Sequence, residues 1–454
     1  HKFMITMMIL CSGIGGILYG YDVGVFSGAM PFIKQLLFPH LSTQAMTIKI
    51  GILGGAVFGG GLIGTLITGY LSDRFGRRTM IIAASLLFIS GIILILFVST
   101  FWELLAARIV LGIAVGVVSV AVPSYLTEIA PTAIRGKSVA IFQVFLTLGI
   151  LLAYLVDLYF TPSGNWRAMF AVIAIPTFIL LISMIVLPES PRWLVSHIKI
   201  KKAMAVLGKT RSPVEAHQEM QEIIASLKEK RSHWADLFQK RLALPLFLAI
   251  FVAVFNQFTA INAFLQYAPS IFKSAGLASN VGAISSTIYL GSVNFIVTII
   301  SLFLVDHVGR RLLLIAGTAG IVLSYVFLAV TSGMAFSAHT HSILALIGLL
   351  SFVACFAIGP GVVVWLVLSE LFPTEIRGKG IALSLFASSL SAWLVTTLFL
   401  PLKNYLGLSG SYWLFAACTV IYCVVVLVLL PETKQKSLEQ IQRELQQRSK
   451  KIWH

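Results

Sequence analysis

The chain has 454 residues, of which 58% are hydrophobic and 11% are charged. A soluble domain carries about 25% charged residues, because a surface that faces water needs them. The composition therefore excludes an ordinary soluble protein. The net charge of +16 does not indicate nucleic-acid binding, because the basic residues fall between apolar stretches.

Twelve apolar stretches follow one another, each long enough to cross a hydrocarbon core about 30 Å thick. Every backbone polar group must be satisfied inside lipid, and the stretches do not alternate, so they are predicted to be helices. The first stretch is too long for a cleaved signal peptide and is counted as a span. The predicted spans are 4–30, 50–71, 79–99, 103–126, 137–161, 167–187, 242–272, 282–305, 312–332, 341–368, 378–402 and 411–430.

A polar segment separates the sixth and seventh spans, and a polar tail follows the twelfth. Residues 215–230 mix apolar and charged side chains at helical spacing, which is typical of an amphipathic surface helix. The sequence thus predicts an all-α membrane protein with a cytoplasmic helical linker. Its domains are a six-helix bundle at 1–187, the linker at 188–241, a second six-helix bundle at 242–430 and a cytoplasmic tail at 431–454.

Basic residues cluster in the loops that follow the even-numbered spans. The loops on the other side hold few, namely Lys34, Lys49, Lys273 and Lys403. Cytoplasmic loops of multi-span proteins carry the excess of Lys and Arg. We therefore place both termini in the cytoplasm and expect a multi-pass protein of the plasma (inner) membrane.

The two halves of the chain repeat each other at these loops. Asp-Arg-Phe-Gly-Arg-Arg at 73–78 matches Asp-His-Val-Gly-Arg-Arg at 306–311, and the block at 128–137 matches the block at 370–379. The sixth span ends in Pro-Glu-Ser and the twelfth in Pro-Glu-Thr. Six helices repeated in parallel are typical of a transporter that binds solute between its halves near the midplane.

The charged residues of the repeated loops have two interpretations. They are topology signals, or they form ion pairs across the two halves that close the cytoplasmic side while the outside is open. We favour the gate, because acids accompany the bases in both halves and topology alone needs no acids. The predicted gating residues are Asp73, Arg74, Arg77, Glu128, Arg135, Glu189, Arg192, Asp306, Arg310, Glu370, Arg377 and Glu432.

This ordered set of motifs resembles the sugar porter family of the major facilitator superfamily, and its bacterial proton-coupled sugar symporters in particular. The set also includes Gly-Tyr-Asp at 20–22, Pro-Glu-Ser-Pro-Arg-Trp at 188–193 and Asn-Gln-Phe-Thr-Ala-Ile-Asn at 256–262. The resemblance covers essentially the whole chain. It implies the twelve-helix major facilitator fold and transport of a monosaccharide or polyol, by proton symport or by facilitated diffusion.

Amide side chains inside the spans form the candidate solute site. An amide donates and accepts hydrogen bonds at once, as a sugar hydroxyl requires, and a polar group in lipid is costly unless it is used. The alternative is that each amide only bonds between helices. These amides are Gln143, Asn256, Gln257, Asn262 and Asn294. Gly and Ala are frequent on either side of Gln257 and Asn262, and Pro269 interrupts the same span, so a bent helix could present both amides together.

The resemblance assigns solute contact to four of these amides, Gln143, Gln257, Asn262 and Asn294. It also assigns ring stacking to Trp365, which follows a predicted helix break at Gly359-Pro360-Gly361, and broken helices mark transport sites. Other positions of the site depart from the family pattern. Asn256 and Gln266 stand where glutamine and tyrosine are common, and Ser388 and Ser389 replace an amide and a tryptophan. These changes alter the cavity, so the identity of the sugar stays open.

Asp22 lies inside the first span, where a charged residue costs about 2.5–3.5 kcal/mol. Arg108, inside the fourth span, is its predicted partner. A carboxylate that alternates between this partner and solvent would bind and release a proton; the alternative is a static ion pair. The resemblance favours coupling, since mammalian facilitators commonly have asparagine at the position of Asp22. An acid that the xylose–proton symporter has in the sixth span is replaced here by Ile173.

Several other features are given structural roles. The glycines between 54 and 64 lie in an apolar span without a following Lys-Ser or Lys-Thr, so they indicate helix packing rather than a phosphate loop. Gly20, Gly24 and Gly28 share one helix face and are predicted to allow close packing. Asp157 is expected at a helix end that faces water. The cysteines and histidines lack metal-ligand spacing and no nucleophile–base set is found, so we expect no cofactor, no metal and no enzyme.

The leading hypothesis is uptake of a monosaccharide or related polyol by proton symport in a monomer embedded in the lipid bilayer. A proton-independent facilitator is the alternative among transporters. From another class, the chain could be a sugar receptor that binds without transporting, but its cytoplasmic segments contain no obvious signalling module.

Overall fold

The computed structural model of this chain describes residues 2–131, 135–228, 233–277, 279–373, 376–434, 440–441, 443–445 and 447–448. Within these ranges the side chains of residues 2–4, 135–137, 139, 226 and 228 are not described. All regular secondary structure in the described residues is helical, as predicted.

In the described residues, seven helices precede the linker and the linker contains three more. The first seven are α1 (Lys2–Leu37), α2 (Thr43–Phe75), α3 (Arg77–Phe97), α4 (Phe101–Ile129), α5 (Arg135–Phe160), α6 (Trp166–Ala171) and α7 (Ala174–Val186). The linker helices are α8 (Pro191–Ser196), α9 (Ile200–Thr210) and α10 (Pro213–Lys228). Short 3-10 segments at Trp234–Phe238 and Lys240–Leu242 lead into the second half.

The second half forms seven further helices. They are α11 (Ala243–Phe258), α12 (Ile261–Ser274), α13 (Asn280–Val308), α14 (Arg310–Ser332), α15 (Ala338–Ile358), α16 (Pro360–Glu370) and α17 (Arg377–Leu429).

Eleven helical segments of the described residues are long and apolar enough to cross a membrane. The last of them, Arg377–Leu429, has 53 residues, which is too long for one crossing. Its backbone leaves the helical conformation at Gly407, where φ is 73°, so two helices meet there. These two helices are the predicted eleventh and twelfth spans, and the twelve-span prediction is confirmed.

Three of the predicted spans are broken inside. The sixth divides between α6 and α7, and the tenth divides at Gly359, where a break was predicted. The seventh divides at Ala260, whose φ of 61° is left-handed, and not at Pro269. Pro269 lies within α12, and the carbonyl that it leaves without a helical partner, on Leu265, accepts the hydroxyl of Tyr154 at 2.7 Å. The expected bend of the seventh span is therefore present, and it lies at Ala260.

The residues form two compact units. The first comprises His1–Asp22, Val57–Ala153 and Arg167–Arg231, and the second comprises Val23–Ala56, Tyr154–Trp166 and Ser232–His454. The two units divide α1, α2 and α5 internally. The domain boundaries at 187, 241 and 430 stay a prediction.

Glycines hold the helices of the first unit close together. A side chain at Gly60 or Gly64 would overlap the carbonyl of Ile109 or Ile113 on α4, so α2 and α4 touch through their backbones. In the same way, a side chain at Gly20 on α1 would overlap the carbonyl of Leu146, so α1 and α5 also touch through their backbones. These glycines therefore allow close helix packing and do not form a phosphate-binding loop.

The linker folds against the first unit as amphipathic helices. Ala203, Leu207 and Met220 are buried on one face of α9 and α10, in a small apolar cluster with Leu194 and Val195 of α8. Arg211 ties this layer to the end of α4, because its guanidinium donates to the carbonyls of Ile129 and Ala130 and pairs with Glu219 at 2.5 Å. The predicted surface helix of the linker is thereby confirmed.

The core of the second unit continues into the tail. Apolar residues of α11, α16 and α17 form one buried cluster, which Leu237 joins from the linker side and Ile441 and Leu445 join from the tail. Elsewhere in this unit, the rings of Phe264, Tyr325, Phe399 and Tyr412 on α12, α14 and α17 pack with centroids 5.1 to 6.2 Å apart. This packing fixes the broken seventh span on which the predicted amides lie.

Candidate functional site

Asp22 and Arg108 form a buried ion pair in the first unit. Both side chains are fully buried, and Arg108 Nη1 lies 3.5 Å from Asp22 Oδ1 and from the backbone carbonyl of Asp22. The guanidinium also lies 5.7 Å from the ring centre of Phe170 on α6. The close backbone approach of α1 at Gly20 holds Asp22 at this depth.

Only one carboxylate oxygen of Asp22 is used by this pair. Among the described residues, Asp22 Oδ2 is buried and has no hydrogen-bond partner. An unsatisfied buried polar atom costs about 1–3 kcal/mol, and more when it carries charge. The carboxyl group thus has one oxygen held by a cation and one that can carry a proton.

In the part of the chain that the structure describes, no second acid is hydrogen-bonded or ion-paired to these two side chains. Tyr21 donates its hydroxyl to the carbonyl of Met169 at 2.6 Å, which attaches α1 to α6. Ile173, at the break between α6 and α7, is buried where the resemblance placed an acid in a relative. Gln143 lies half-buried on α5, in the same unit, and Thr147 donates its hydroxyl to the Gln143 carbonyl.

A chain of hydrogen bonds links the amides of the seventh span to the eleventh. Asn262 Nδ2 donates to Gln257 Oε1 at 2.8 Å, and Gln257 Nε2 donates to Ser388 Oγ at 3.0 Å. Five residues separate Gln257 from Asn262, which would place them on different sides of one continuous helix. The break between α11 and α12 brings their side chains into contact.

That break is stabilised by its own hydrogen bonds. Thr259 donates its hydroxyl to the Asn256 carbonyl at 2.7 Å, and Tyr325 on α14 donates its hydroxyl to the Thr259 carbonyl. Ala260 takes the left-handed conformation that starts α12 in a new direction. The amides therefore sit on a fixed turn rather than on a mobile loop.

Two further amides of the second unit are buried with polar atoms free of partners among the described residues. Asn256 leaves Oδ1 unpaired, and Gln266 leaves both Oε1 and Nε2 unpaired. Asn294 on α13 is also buried. Buried donors and acceptors without partners are available to the hydroxyls of a solute.

The remaining predicted solute residues are more open. Trp365 lies on α16 just after the break at Gly359 and is 40% exposed. Ser389 is half-buried beside Ser388 on α17. The first unit thus contains Asp22, Arg108 and Gln143, and the second unit contains the other predicted solute residues; their roles stay predictions.

The repeated loop motif of the first half forms an ion-pair cluster. Arg77 lies 3.1 Å from both Asp73 and Glu128, and Ser190 donates its hydroxyl to Glu128. Glu189 accepts from the backbone amide of Arg78 at 3.0 Å. The cluster joins the ends of the second, fourth and sixth spans.

The second half repeats this cluster. Arg310 lies 3.3 Å from Asp306 and 3.4 Å from Glu370, and Glu432 accepts from the backbone amides of Arg310 and Arg311. The glycine before each arginine has positive φ, 96° at Gly76 and 109° at Gly309, and any side chain there would meet Glu189 or Glu432. The two sequence motifs therefore form the same arrangement of ion pairs and turns.

The other predicted gating residues take less part in these clusters. Arg74 and Arg192 are exposed, and Arg74 lies over the Phe75 ring. Arg377 donates to the Phe372 carbonyl at 3.5 Å. The side chain of Arg135 lies outside the described residues. Ion pairing of these residues between the two halves stays a prediction.

Asp157 does not face water, and that expectation was wrong. It is fully buried on α5, where its Oδ2 accepts from the Gly28 amide at 3.0 Å and from the Ser27 hydroxyl at 3.4 Å. Its position near a helix end suggested exposure, but α1 covers that end. The predicted small-residue face of α1 was the available indication, because only glycine at position 28 leaves room for the carboxylate.

Comparison with known proteins places the chain in a family. The profile of the sugar (and other) transporter family matches residues 8–445. The chain belongs to this sugar transporter family. The arabinose-proton symporter of Escherichia coli K12 is 36% identical over 446 residues, which cover 96% of this chain and 92% of that protein. The galactose-proton symporter of the same strain is 34% identical and covers 98% of this chain and 95% of its own length.

Solved structures agree with this placement. The xylose transporter XylE from E. coli, in a partially occluded inward open conformation, superposes with a TM-score of 0.84 at 32% identity, covering 95% of this chain and 99% of XylE. This sugar transporter is therefore a multi-pass membrane protein with the major facilitator fold, as predicted. Its family consists of transporters rather than enzymes.

Proposed function

We propose that this member of the sugar transporter family takes up a monosaccharide together with a proton by alternating access. The observation that carries the proposal is the fully buried Asp22–Arg108 pair. A charge pair deep in a membrane protein is expensive to maintain and marks ion or proton pathways. The similarity to an arabinose-proton symporter and a galactose-proton symporter supports the same function.

The coupling follows from the two oxygens of Asp22. When the site opens to one side, water reaches the carboxylate and a proton can bind Oδ2, which lacks a protein partner. Protonation removes the negative charge and weakens the attraction to Arg108, so α1 and α4 are no longer held by the pair. When the site faces the other side, the proton leaves and the pair forms again. A ligand moves such an equilibrium only if it binds the two states differently, which a proton on Asp22 does.

The proposed sugar site lies among the polar residues of the second unit, and Gln143 of the first unit is a separately predicted sugar contact. Gln257 and Asn262 already form a hydrogen-bonded chain with Ser388, and Asn256 and Gln266 supply unpaired polar atoms. Amides and hydroxyls can exchange these internal bonds for bonds to sugar hydroxyls at little cost. Trp365 is proposed to cover one face of the ring, and Asn294 and Ser389 complete the lining.

The repeated ion-pair clusters are proposed to lie on the cytoplasmic side and to control opening there. The basic excess of the neighbouring loops supports this side, because cytoplasmic loops carry the excess of Lys and Arg. On the same ground both termini are proposed to be cytoplasmic, and the protein is proposed to act as a monomer in the plasma membrane. Movement that separates the ends of the second and fourth spans must break the bond of Arg77 to Glu128, and movement that separates the ends of the eighth and tenth spans must break the bond of Arg310 to Glu370.

Purified protein in proteoliposomes tests the proposal. An inward proton gradient should drive accumulation of a labelled pentose or hexose above the external concentration, and a protonophore should abolish it. Equilibration without accumulation, unaffected by the protonophore, would establish the facilitator instead. Sugar binding without counterflow would establish the receptor. A thermal-shift screen of pentoses, hexoses and inositols beforehand selects the sugar, because a bound ligand stabilises the folded state.

A further inference from the structure

Three lysines meet at the end of the second unit that lies opposite Glu370 and Glu432. Lys34 is in the last turn of α1, Lys273 is in the last turn of α12, and Lys403 precedes the kink in α17. Lys34 and Lys273 line the same cavity, and Lys403 bonds to Ser274, the neighbour of Lys273. Three of the four lysines that the sequence places on the non-cytoplasmic side thus converge.

No carboxylate balances these charges within the described part of the second unit. Asp157 is held by Gly28 and Ser27, and its other described acids lie in the linker, at the opposite helix ends or in the tail. Lys403 donates to the Ser274 hydroxyl at 2.8 Å, which does not neutralise its charge. Like charges held together without a counter-ion destabilise the arrangement that assembles them.

A cavity of about 230 Å³ lies between two of these lysines. We call it the outer lysine pocket, and it is lined by Met30, Pro31, Lys34, Gln35, Pro269, Ser270, Lys273 and Asn280. Asn280 begins the 29-residue helix α13, whose N-terminus adds positive potential at the pocket. Asn280 leaves Oδ1 buried without a partner among the described residues, and the donor that its side chain would offer an anion is Nδ2.

We propose that the outer lysine pocket binds a small oxyanion of the phosphate type, and that the bound anion stabilises the arrangement in which this end is closed. Lysine is a point-charge binder of phosphate, and helix N-termini and side-chain amides supply the remaining hydrogen bonds. The phosphate could be free in solution or belong to a lipid headgroup. Sugar contacts are not involved, because the pocket contains none of the proposed sugar residues.

The conformational part rests on the alternating access proposed above. Lys34 comes from the first half of the chain, whereas Lys273 and Lys403 come from the second. If the halves separate at this side during transport, the lysines separate with them and the repulsion is relieved. An anion that bridges them replaces the repulsion with attraction and so favours closure.

Thermal unfolding in phosphate-free detergent tests binding. Inorganic phosphate, compared with sodium chloride at equal ionic strength, should raise the unfolding temperature of the wild type, because chloride screens charges but does not bridge them. In Lys34→Gln/Lys273→Gln the apparent affinity should be roughly tenfold weaker or lost. Lys49→Gln is the matched control, since Lys49 is also at this side but lies over Phe38, outside the pocket.

The arms of this experiment give distinct answers. Phosphatidylglycerol that raises the unfolding temperature when inorganic phosphate does not would identify the lipid headgroup as the source. Equal phosphate shifts in all three proteins, or shifts no larger than with chloride and absent with phosphatidylglycerol, would overturn the site. If the double variant does not fold, Lys273→Gln alone serves, because Lys273 is exposed and its loss should weaken the phosphate effect without disturbing the core.

Thiol labelling tests the conformational part. Met30 lines the pocket and is buried, so a cysteine at position 30, with the four native cysteines replaced by serine, should react more slowly with an impermeant maleimide when phosphate is bound. Phosphate binding with unchanged labelling would refute the effect on closure. These measurements use no sugar and no flux, so their failure is distinct from failure of the proposed transport.

Discussion

The hydroxyl of Tyr154 donates to the carbonyl of Leu265, the carbonyl that Pro269 leaves without a partner inside α12. Both groups are buried, and the bond joins the fifth span to the seventh. A proline inside a helix frees one acceptor, and an acceptor left unpaired in a membrane protein is costly. Tyr154 therefore satisfies the carbonyl that Pro269 leaves unpaired. That carbonyl in turn gives the Tyr154 hydroxyl an acceptor on another span.

Tyr154→Phe should weaken this contact by about 1–3 kcal/mol, because it leaves the Leu265 carbonyl unsatisfied. The second unit should be less stable to heat, and transport should shift toward states in which these spans are apart. Tyr412→Phe is the matched control, since the buried Tyr412 hydroxyl has no partner among the described residues. Equal loss of thermal stability in both variants would show that the bond to Leu265 contributes nothing specific.

Asp22→Asn should abolish proton-driven accumulation while sugar exchange continues. Asparagine keeps the size of the side chain and an oxygen near Arg108, but it does not take up a proton in the physiological range. The measurement is accumulation against counterflow in the same proteoliposomes. Accumulation at the wild-type level in Asp22→Asn would exclude this carboxyl group as the coupling site.

Asp157→Asn is the companion experiment. Among the described residues, Asp157 is the other acid buried within a membrane span, and its carboxylate accepts only from Gly28 and Ser27. An asparagine oxygen can accept the same two bonds, so accumulation and stability should stay close to wild type. Asp157→Ala removes the acceptor and should lower stability by about 1–3 kcal/mol. Loss of accumulation in Asp157→Asn, with sugar exchange intact, would assign a proton to Asp157 as well.

The spans and the repeated clusters could be predicted from the sequence because both depend on local patterns. Apolar length identifies a crossing, and the Gly-Arg-Arg blocks fix their own turns through Gly76 and Gly309. A bend of the seventh span was expected, but its position could not be predicted, since alanine has no preference for the left-handed conformation that Ala260 adopts. That conformation depends on hydrogen bonds from other parts of the fold, including one from Tyr325.

The sequence indicated which residues form the candidate site, but not the hydrogen bonds between them. The amides were found because amides are rare in lipid, and Asp22 because an acid there needs a partner. The bond from Gln257 to Ser388 joins residues far apart in sequence and appears only in three dimensions. Burial of Asp157 was missed for the same reason, since α1 covers it and α1 is distant in the chain.

Gln257→Ala should weaken sugar affinity by roughly 5- to 150-fold, which corresponds to about 1–3 kcal/mol for a lost hydrogen-bond partner. Ser388→Ala should cost less, since Ser388 is linked to the proposed sugar contacts through Gln257. Ser384→Ala is the matched control, because its buried hydroxyl bonds only to the Gly380 carbonyl of its own helix. Equal affinities in Gln257→Ala and wild type, measured by sugar-induced thermal shift, would remove Gln257 from the sugar site.

Arg77→Ala should favour states that are open on the cytoplasmic side. Arg77 is mostly buried and bonds to Asp73, Glu128 and the Ser72 carbonyl, so its loss leaves Glu128 near Glu189 with one cation fewer. Removing one partner of a buried pair costs more than the pair contributes, because the remaining charge is uncompensated. Arg74→Ala is the matched control, since Arg74 is exposed over Phe75. Cytoplasmic accessibility, measured by labelling of introduced cysteines, should rise in Arg77→Ala and in the equivalent Arg310→Ala but not in Arg74→Ala. If all three variants were labelled alike, the repeated clusters would only fix topology and would not control opening.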